Sequence, residues 1–76
     1  MPSISLRLRG QLADRLPGGS AIIEIGSGIT LDDFLGEHGL GARHYVVMLN
    51  NTVAPARDSV LKNGDSIVVY PQMAGG

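Results

Sequence analysis

The sequence predicts an α+β fold in which one helix covers one face of a mixed sheet of four to five strands. The chain has 76 residues, which leaves room for one domain with a single core, over residues 1–76. Hydrophobic residues make up 43% of the chain and charged residues 17%, a balance typical of a packed globular domain. Several segments alternate apolar and polar residues, as strands do, whereas one segment follows the period of a helix.

The first two strands are predicted as a hairpin. Residues 3–9 and 20–25 both alternate, and the proline and two glycines at 17–19 indicate a reversal of the chain between them. Ile22 lies opposite the apolar side of the second strand. The inward-facing residues of the two strands are Ile4, Leu6, Leu8, Ala21, Ile23 and Ile25.

One segment carries the signature of a short helix. Thr30 stands three residues before Asp33, which is an acidic variant of the capping box. An apolar stripe follows at helical spacing, formed by Leu31, Phe34, Leu35 and His38. Gly39 and Gly41 are expected to adopt left-handed conformations that end the helix.

The rest of the chain predicts three further strands. Residues 44–49 are rich in aromatic and β-branched types, and Asn50 and Asn51 suit a turn with positive φ before a short strand at 52–54. Val60 and Leu61 are expected to point inward ahead of a turn at 62–65, where Asn, Gly and Asp occur together.

Residues 66–70 form a nearly continuous apolar run, which is typical of a central strand. The predicted order is therefore two strands, a helix, two strands and a last strand inserted in the middle of the sheet. This order is the β-grasp arrangement.

Charge and composition exclude several classes of function. Six Lys and Arg residues oppose seven Asp and Glu residues, so the chain lacks the positive field that nucleic acid binding needs. Without cysteine there is no thiolate metal site and no cysteine nucleophile, which fits a reducing compartment, and we expect a cytoplasmic protein. No apolar run approaches the roughly 18 to 20 residues that span a membrane.

The sequence offers no catalytic or metal-binding constellation. His38 and His44 do not stand at metal-ligand spacing on one helix face. Asp32 and Asp33 are adjacent and diverge on a helix, which suits capping rather than paired acid and base catalysis. The glycines at 26–28 lack the third glycine of a dinucleotide-binding loop. We therefore expect a protein that is not itself an enzyme.

The C-terminal tail, residues 71–76, is predicted to be extended, flexible and exposed. Pro71 stiffens the point where the tail leaves the last strand, while Gly75 and Gly76 carry no side chains that would block a narrow channel. Such a tail could thread Met73, Ala74 and Gly75 into a partner's active site. A terminal carboxylate is ionised and unreactive at neutral pH, so any acyl chemistry requires activation by a partner.

The segment VVMLNNTVAPARDSVLKNGDSIVVYPQMAGG resembles the MoaD/ThiS sulfur-carrier family, which has an asparagine-containing hairpin, a Gly-Asp turn and a terminal Gly-Gly. The opening ISLRLRGQLADRL is similar to MoaD-like members, so the resemblance covers essentially the whole chain. The ending PQMAGG resembles the MoaD ending PPVAGG, with Gln72 in place of the second proline, and favours the small subunit of molybdopterin synthase. The stretch LNNTVAP resembles the ThiS pattern of thiamine thiazole synthesis, which is the next choice.

The resemblance implies a ubiquitin-like β-grasp protein that carries sulfur on Gly76. A ubiquitin-activating-like adenylyltransferase would convert the Gly76 carboxylate with ATP to a transient acyl adenylate. A sulfur donor of the desulfurase or rhodanese type would then form the thiocarboxylate, a 1-thioglycine. An acceptor synthase subunit would receive the sulfur. No bound cofactor is implied.

Two other functions stay open. A protein modifier would form an isopeptide bond from Gly76 to a target lysine, although Lys62 is the only lysine on which the chain could build polymers of itself. A binding module with an irrelevant tail would tolerate loss of Gly75 and Gly76.

Partner docking is predicted on the sheet face that the helix leaves uncovered. Ile22, Tyr70 and Pro71 are the candidate residues for an apolar patch there. The alternative is that Ile22 packs under a loop and Tyr70 completes the core.

Overall fold

A computed structural model describes residues 1–41, 45–53 and 55–71. These residues form a mixed sheet of five strands in the order β2-β1-β5-β3-β4, with one α-helix packed against it. The elements are β1 (Ser3–Leu8), β2 (Ser20–Glu24), α1 (Leu31–Glu37), β3 (Val46–Leu49), β4 (Thr52–Val53) and β5 (Ser66–Tyr70). The neighbours β1 and β5 run parallel, while the other neighbouring strands are antiparallel. The predicted α+β, β-grasp fold is confirmed, including the central position of the last strand.

The predicted hairpin of β1 and β2 is confirmed, with Ser5 paired to Ile22 in its register. Its connection is more regular than the predicted reversal, because it contains two short 3-10 helices, Gly10–Arg15 and Pro17–Gly19. Leu12 on the first of these is buried in the core. The connection therefore extends the core beyond the edge of the sheet.

Both ends of α1 are fixed by hydrogen bonds. The Thr30 Oγ1 accepts from the Asp33 N–H at 3.1 Å, and the Thr30 N–H donates to the Asp33 carboxylate at 3.5 Å, so the capping box is confirmed. At the other end the Leu40 N–H donates to the Leu35 carbonyl at 2.8 Å, and Gly39 has a φ of 70°. These are the features of a Schellman motif.

Two predictions about the end of α1 need correction. Gly41 does not have a positive φ, because Gly39 alone supplies the left-handed residue that a Schellman motif requires. His38 caps the C-terminus and is exposed, rather than closing the buried stripe. Its ring lies against Phe34, with centroids 4.3 Å apart, and its Nδ1 is 3.0 Å from the Phe34 carbonyl oxygen.

The core lies between α1 and one face of the sheet. Its buried hydrophobic members are Ile4, Leu6, Leu8, Leu12, Ile25, Leu31, Phe34, Leu35, Leu40, Val47, Leu61, Ile67 and Val69. The prediction that Val60 points inward is wrong, since this residue is 52% exposed. Val60 forms a β-bridge with Thr30, and adjacent residues of an extended segment point to opposite sides, so burial of Leu61 turns Val60 outward.

The turns around β5 follow their sequence signals. Asn50 and Asn51 have φ values of 51° and 70°, as predicted, and Gly64 has a φ of 89° in the turn before β5. The third strand begins at Val46, later than predicted. Residues 42–44 and 54, which include His44, lie outside the described residues.

Candidate functional site: the open sheet face and the origin of the tail

The two faces of the sheet differ in what covers them. One face packs on α1, the only α-helix in the described part of the chain. No helix of the described residues packs on the other face, which we call the open face. Its central residues, by strand alternation and register, are Ser5, Arg7, Val46, Met48, Ser66, Val68 and Tyr70, with Ser20 and Ile22 at the β2 edge.

The open face contains a shallow groove of about 520 Å³ that combines apolar and basic groups. Val68 and Met48 are neighbours on adjacent strands at its centre and are both half-buried. Arg7 lies opposite Val68 on β1, and Arg9 also borders the groove. Neither arginine joins the ion pair found within residues 1–41, 45–53 and 55–71, which links Arg57 to Asp32 at 3.5 Å. Among the described residues that line it, the groove has two arginines and no acidic side chain beside its apolar centre.

Ile22 and Tyr70 both border this groove, as the docking prediction requires. The exposed fraction is 73% for Ile22 and 37% for Tyr70, so the alternative in which Ile22 packs under a loop and Tyr70 completes the core is wrong. The two side chains do not form one continuous patch. They lie two strands and four residues apart, a separation on the order of 15 Å.

The tail originates where β5 ends beside β1. The Arg9 N–H donates to the Val69 carbonyl at 3.0 Å, which is the last bond between these two segments among the described residues. Pro71, the third docking candidate, is half-buried and lies against Gly10. The docking role of Ile22, Tyr70 and Pro71 stays a prediction. The predicted sulfur-carrying Gly76, with Met73, Ala74 and Gly75, lies outside the described residues.

The described residues form a second concave surface, in which two acidic side chains make structural contacts. It lies beside α1 and is bordered by Asp32 and Asp33. Asp32 pairs with Arg57 and Asp33 closes the capping box, so both have the structural roles predicted for them. In the described ranges no three His, Cys, Asp or Glu side chains come together as a metal site would require. No helix there has the length and apolar character needed to cross a membrane.

Sequence reasoning missed three residues near the site. Arg7 and Arg9 stand on the polar side of a predicted strand, but without the strand order nothing connects them to the groove. Gly10 follows that strand directly, and its contact with Pro71 joins positions 61 residues apart in the chain. The signal that could have found the arginines is their alternation with Leu6 and Leu8.

Comparison with known proteins agrees with this geometry. A model of the ThiS family matches residues 6–76. No curated protein matches the sequence. The crystal structure of SAMP1 from Haloferax volcanii is similar, with a TM-score of 0.75, 21% sequence identity, and coverage of 97% of this chain and 99% of that one. A structure of H. volcanii small archaeal modifier protein 1 has a TM-score of 0.77 at 18% identity, covering 96% of this chain and 100% of that one. At these identities the two structures establish the fold.

Proposed function

We propose, because this chain belongs to the ThiS family, that it is a sulfur carrier whose reactive group is the Gly76 carboxylate. The observation that carries the proposal is the extent of the family match, which runs through the terminal Gly75 and Gly76. The chain itself would act as co-substrate rather than catalyst, because its proposed reactive group is a main-chain carboxylate that requires activation by a partner.

The proposed chemistry needs two steps on a partner. In the first, a carboxylate oxygen of Gly76 attacks the α-phosphorus of ATP and pyrophosphate leaves, which gives an acyl adenylate. In the second, the terminal sulfur of a persulfide on a desulfurase or rhodanese-type donor replaces AMP at the carbonyl carbon. A thiol then reduces the S–S bond of the resulting acyl persulfide, which releases the thiocarboxylate and leaves a disulfide. Because the first step uses ATP and the second uses a persulfide and a thiol reductant, we place both in the cytoplasm.

The open face is the proposed docking surface for the adenylating partner. Arg7 and Arg9 would pair with acidic groups on that partner, and the apolar centre formed by Val68 and Met48 would pack against apolar groups. Of the two acceptors that the resemblance implies, we propose the large subunit of a molybdopterin synthase first, on the basis of the PQMAGG ending. A thiamine thiazole synthase is the second.

The experiment is reconstitution with the adenylating enzyme encoded by the same genome, ATP and a sulfur donor, followed by intact mass spectrometry with top-down fragmentation. We expect a mass gain that equals exchange of one oxygen for sulfur, located at Gly76. Deleting Gly76, or adding one residue after it, should abolish the gain and leave thermal stability unchanged. If both tail variants are adenylated as fast as the unaltered chain, Gly76 has no part in the mechanism.

Protein modification through Gly76 is the second candidate function. It is supported by the names of the two similar structures, which describe a small archaeal modifier protein. The same mass analysis applied to protein taken from its own cells separates the two functions. A thiocarboxylate at Gly76 supports the carrier, whereas Gly76 joined to a lysine of another protein supports the modifier.

A further inference from the structure

Pro71 ends the parallel pairing of β5 with β1 at a fixed point. In a parallel ladder, alternate residues of one strand bond to the residues on either side of their partner. Ser5 and Arg9 of the first strand segment follow this rule, since their N–H groups donate to the carbonyls of Asp65 and Val69 at 2.9 and 3.0 Å. The next bond would run from the N–H of residue 71 to the Arg9 carbonyl. Proline has no N–H, so the ladder stops there.

The Pro71 ring packs against the backbone of Gly10 at this point. A Cβ atom built on Gly10 would lie 2.9 Å from the Pro71 Cγ and 3.3 Å from its Cδ. Real Cβ contacts essentially never fall below 3.0 Å, and a proline ring cannot swing aside as the end of a flexible side chain does. The contact therefore depends on the missing side chain of Gly10. Gly10 also has a φ of 58°, in the left-handed region that favours glycine.

We infer that Gly10 is a positioning residue for the C-terminal tail. Because Gly10 has no side chain, the Pro71 ring can pack against its backbone, and this contact fixes where the chain leaves β5. The expected effect of Gly10 on adenylation rests on the proposed function. A carboxylate that must meet the α-phosphorus of ATP on a partner depends on the origin and direction of the tail, and small displacements of a reacting group can cost large factors in rate.

The test compares Gly10→Ala with Gly18→Ala. Gly18 has a φ of 68°, and a Cβ atom there would meet nothing within 4 Å, so this variant carries similar backbone strain without the clash. With the adenylating enzyme and ATP, we expect Gly10→Ala to lower kcat for pyrophosphate exchange by about 10- to 100-fold while KM stays within about twofold. We expect Gly18→Ala to leave both parameters unchanged.

Rescue by a second substitution separates positioning from general damage. Pro71→Ala removes the ring carbons that the new Cβ would strike, so Gly10→Ala in that background should be no slower than Pro71→Ala alone. Equal kcat values for Gly10→Ala and Gly18→Ala would overturn the inference. The inference would also be overturned if Gly10→Ala lowered kcat by the same factor in the Pro71→Ala background as in the unaltered chain.

Nuclear magnetic resonance tests the contact without any enzyme. We expect a nuclear Overhauser effect between the Gly10 Hα and Pro71 ring protons, and amide shift changes at residues 72–76 in Gly10→Ala but not in Gly18→Ala. Absence of this effect, or equal tail shifts in both variants, overturns the inference. If the unaltered chain shows the effect but is never adenylated, the proposed function fails while the positioning role of Gly10 stands.

Discussion

Asn50 shows how one side chain can join two turns that are distant in sequence. It has a φ of 51°, its Nδ2 donates to Asp65 at 3.0 Å, and its Oδ1 accepts from the Ser66 N–H at 2.9 Å. Asp65 in turn accepts from the Lys62 N–H at 2.8 Å. The hairpin of β3 and β4 is thereby held against the start of β5, although all these groups are exposed.

We expect Asn50→Ala to lower the free energy of unfolding by about 2–3 kcal/mol, from two lost hydrogen bonds and a less favourable left-handed residue. Asn51→Ala is the matched control. Asn51 has a φ of 70° but makes no side-chain hydrogen bond within the described residues. Asn51→Ala should lower the free energy of unfolding by about 1–2 kcal/mol less than Asn50→Ala does. Urea unfolding measures both, and equal losses would show that the side-chain bonds contribute nothing.

The helix α1 depends on its caps and its packing rather than on its length. Seven residues are too few for a helix that is stable alone in water, and Gly36 lowers the propensity further. The capping box and the Schellman motif satisfy its end groups, while Leu31, Phe34 and Leu35 have no exposed surface. The element is therefore stable through its contacts with the sheet.

Thr30→Ala tests the contribution of the cap. We expect a loss of about 1 kcal/mol in the free energy of unfolding, because the Asp33 N–H loses its acceptor. Thr30→Ser keeps the hydroxyl and should lose less than half of that amount. Chemical denaturation followed by circular dichroism provides the measurement, and a full loss in Thr30→Ser would assign the effect to the methyl group instead.

The two faces of the sheet differ in their contribution to stability, and partner recognition is proposed for the open face alone. The covered face contributes β1 and β5 residues to the core, and no polar or charged residue of the described ranges is buried there. The open face presents Arg7, Arg9, Tyr70 and Ile22 around one groove. Substitutions on the open face should therefore alter binding to a partner more than they alter folding.

Ile22→Asp is expected to raise the Kd for the adenylating enzyme by about fivefold or more, while the free energy of unfolding falls by less than about 1 kcal/mol. Val60→Asp is the control, since Val60 is also exposed but lies at the bridge to Thr30, away from the groove. Titration calorimetry measures both variants. If Ile22→Asp binds as tightly as Val60→Asp does, Ile22 is not part of the docking surface.

Most of the fold could be predicted because the apolar positions in the local sequence patterns are the residues buried in the core. Alternation identified the inward residues of β1, and the Thr30–Asp33 spacing identified the start of α1. Val60 was predicted wrongly because the direction of a side chain in a loop depends on which neighbour reaches the core. Gly41 was predicted wrongly because the Schellman motif needs one left-handed residue, and Gly39 supplies it. The groove followed from local pattern only in part, since Ile22 was identified but Arg7 and Arg9 were not.

The sequence by itself determined the order of the strands and the α-helix along the chain, the inward faces of β1 and β2, and the family, since each depends on residues close together in the chain or on a motif read in order. Tertiary structure alone decided that Arg7 lies beside Val68 and that Gly10 receives Pro71. Both contacts arise because β5 inserts beside β1, which brings residues about 60 positions apart within contact distance. Such pairings follow from strand order, and no local spacing encodes them.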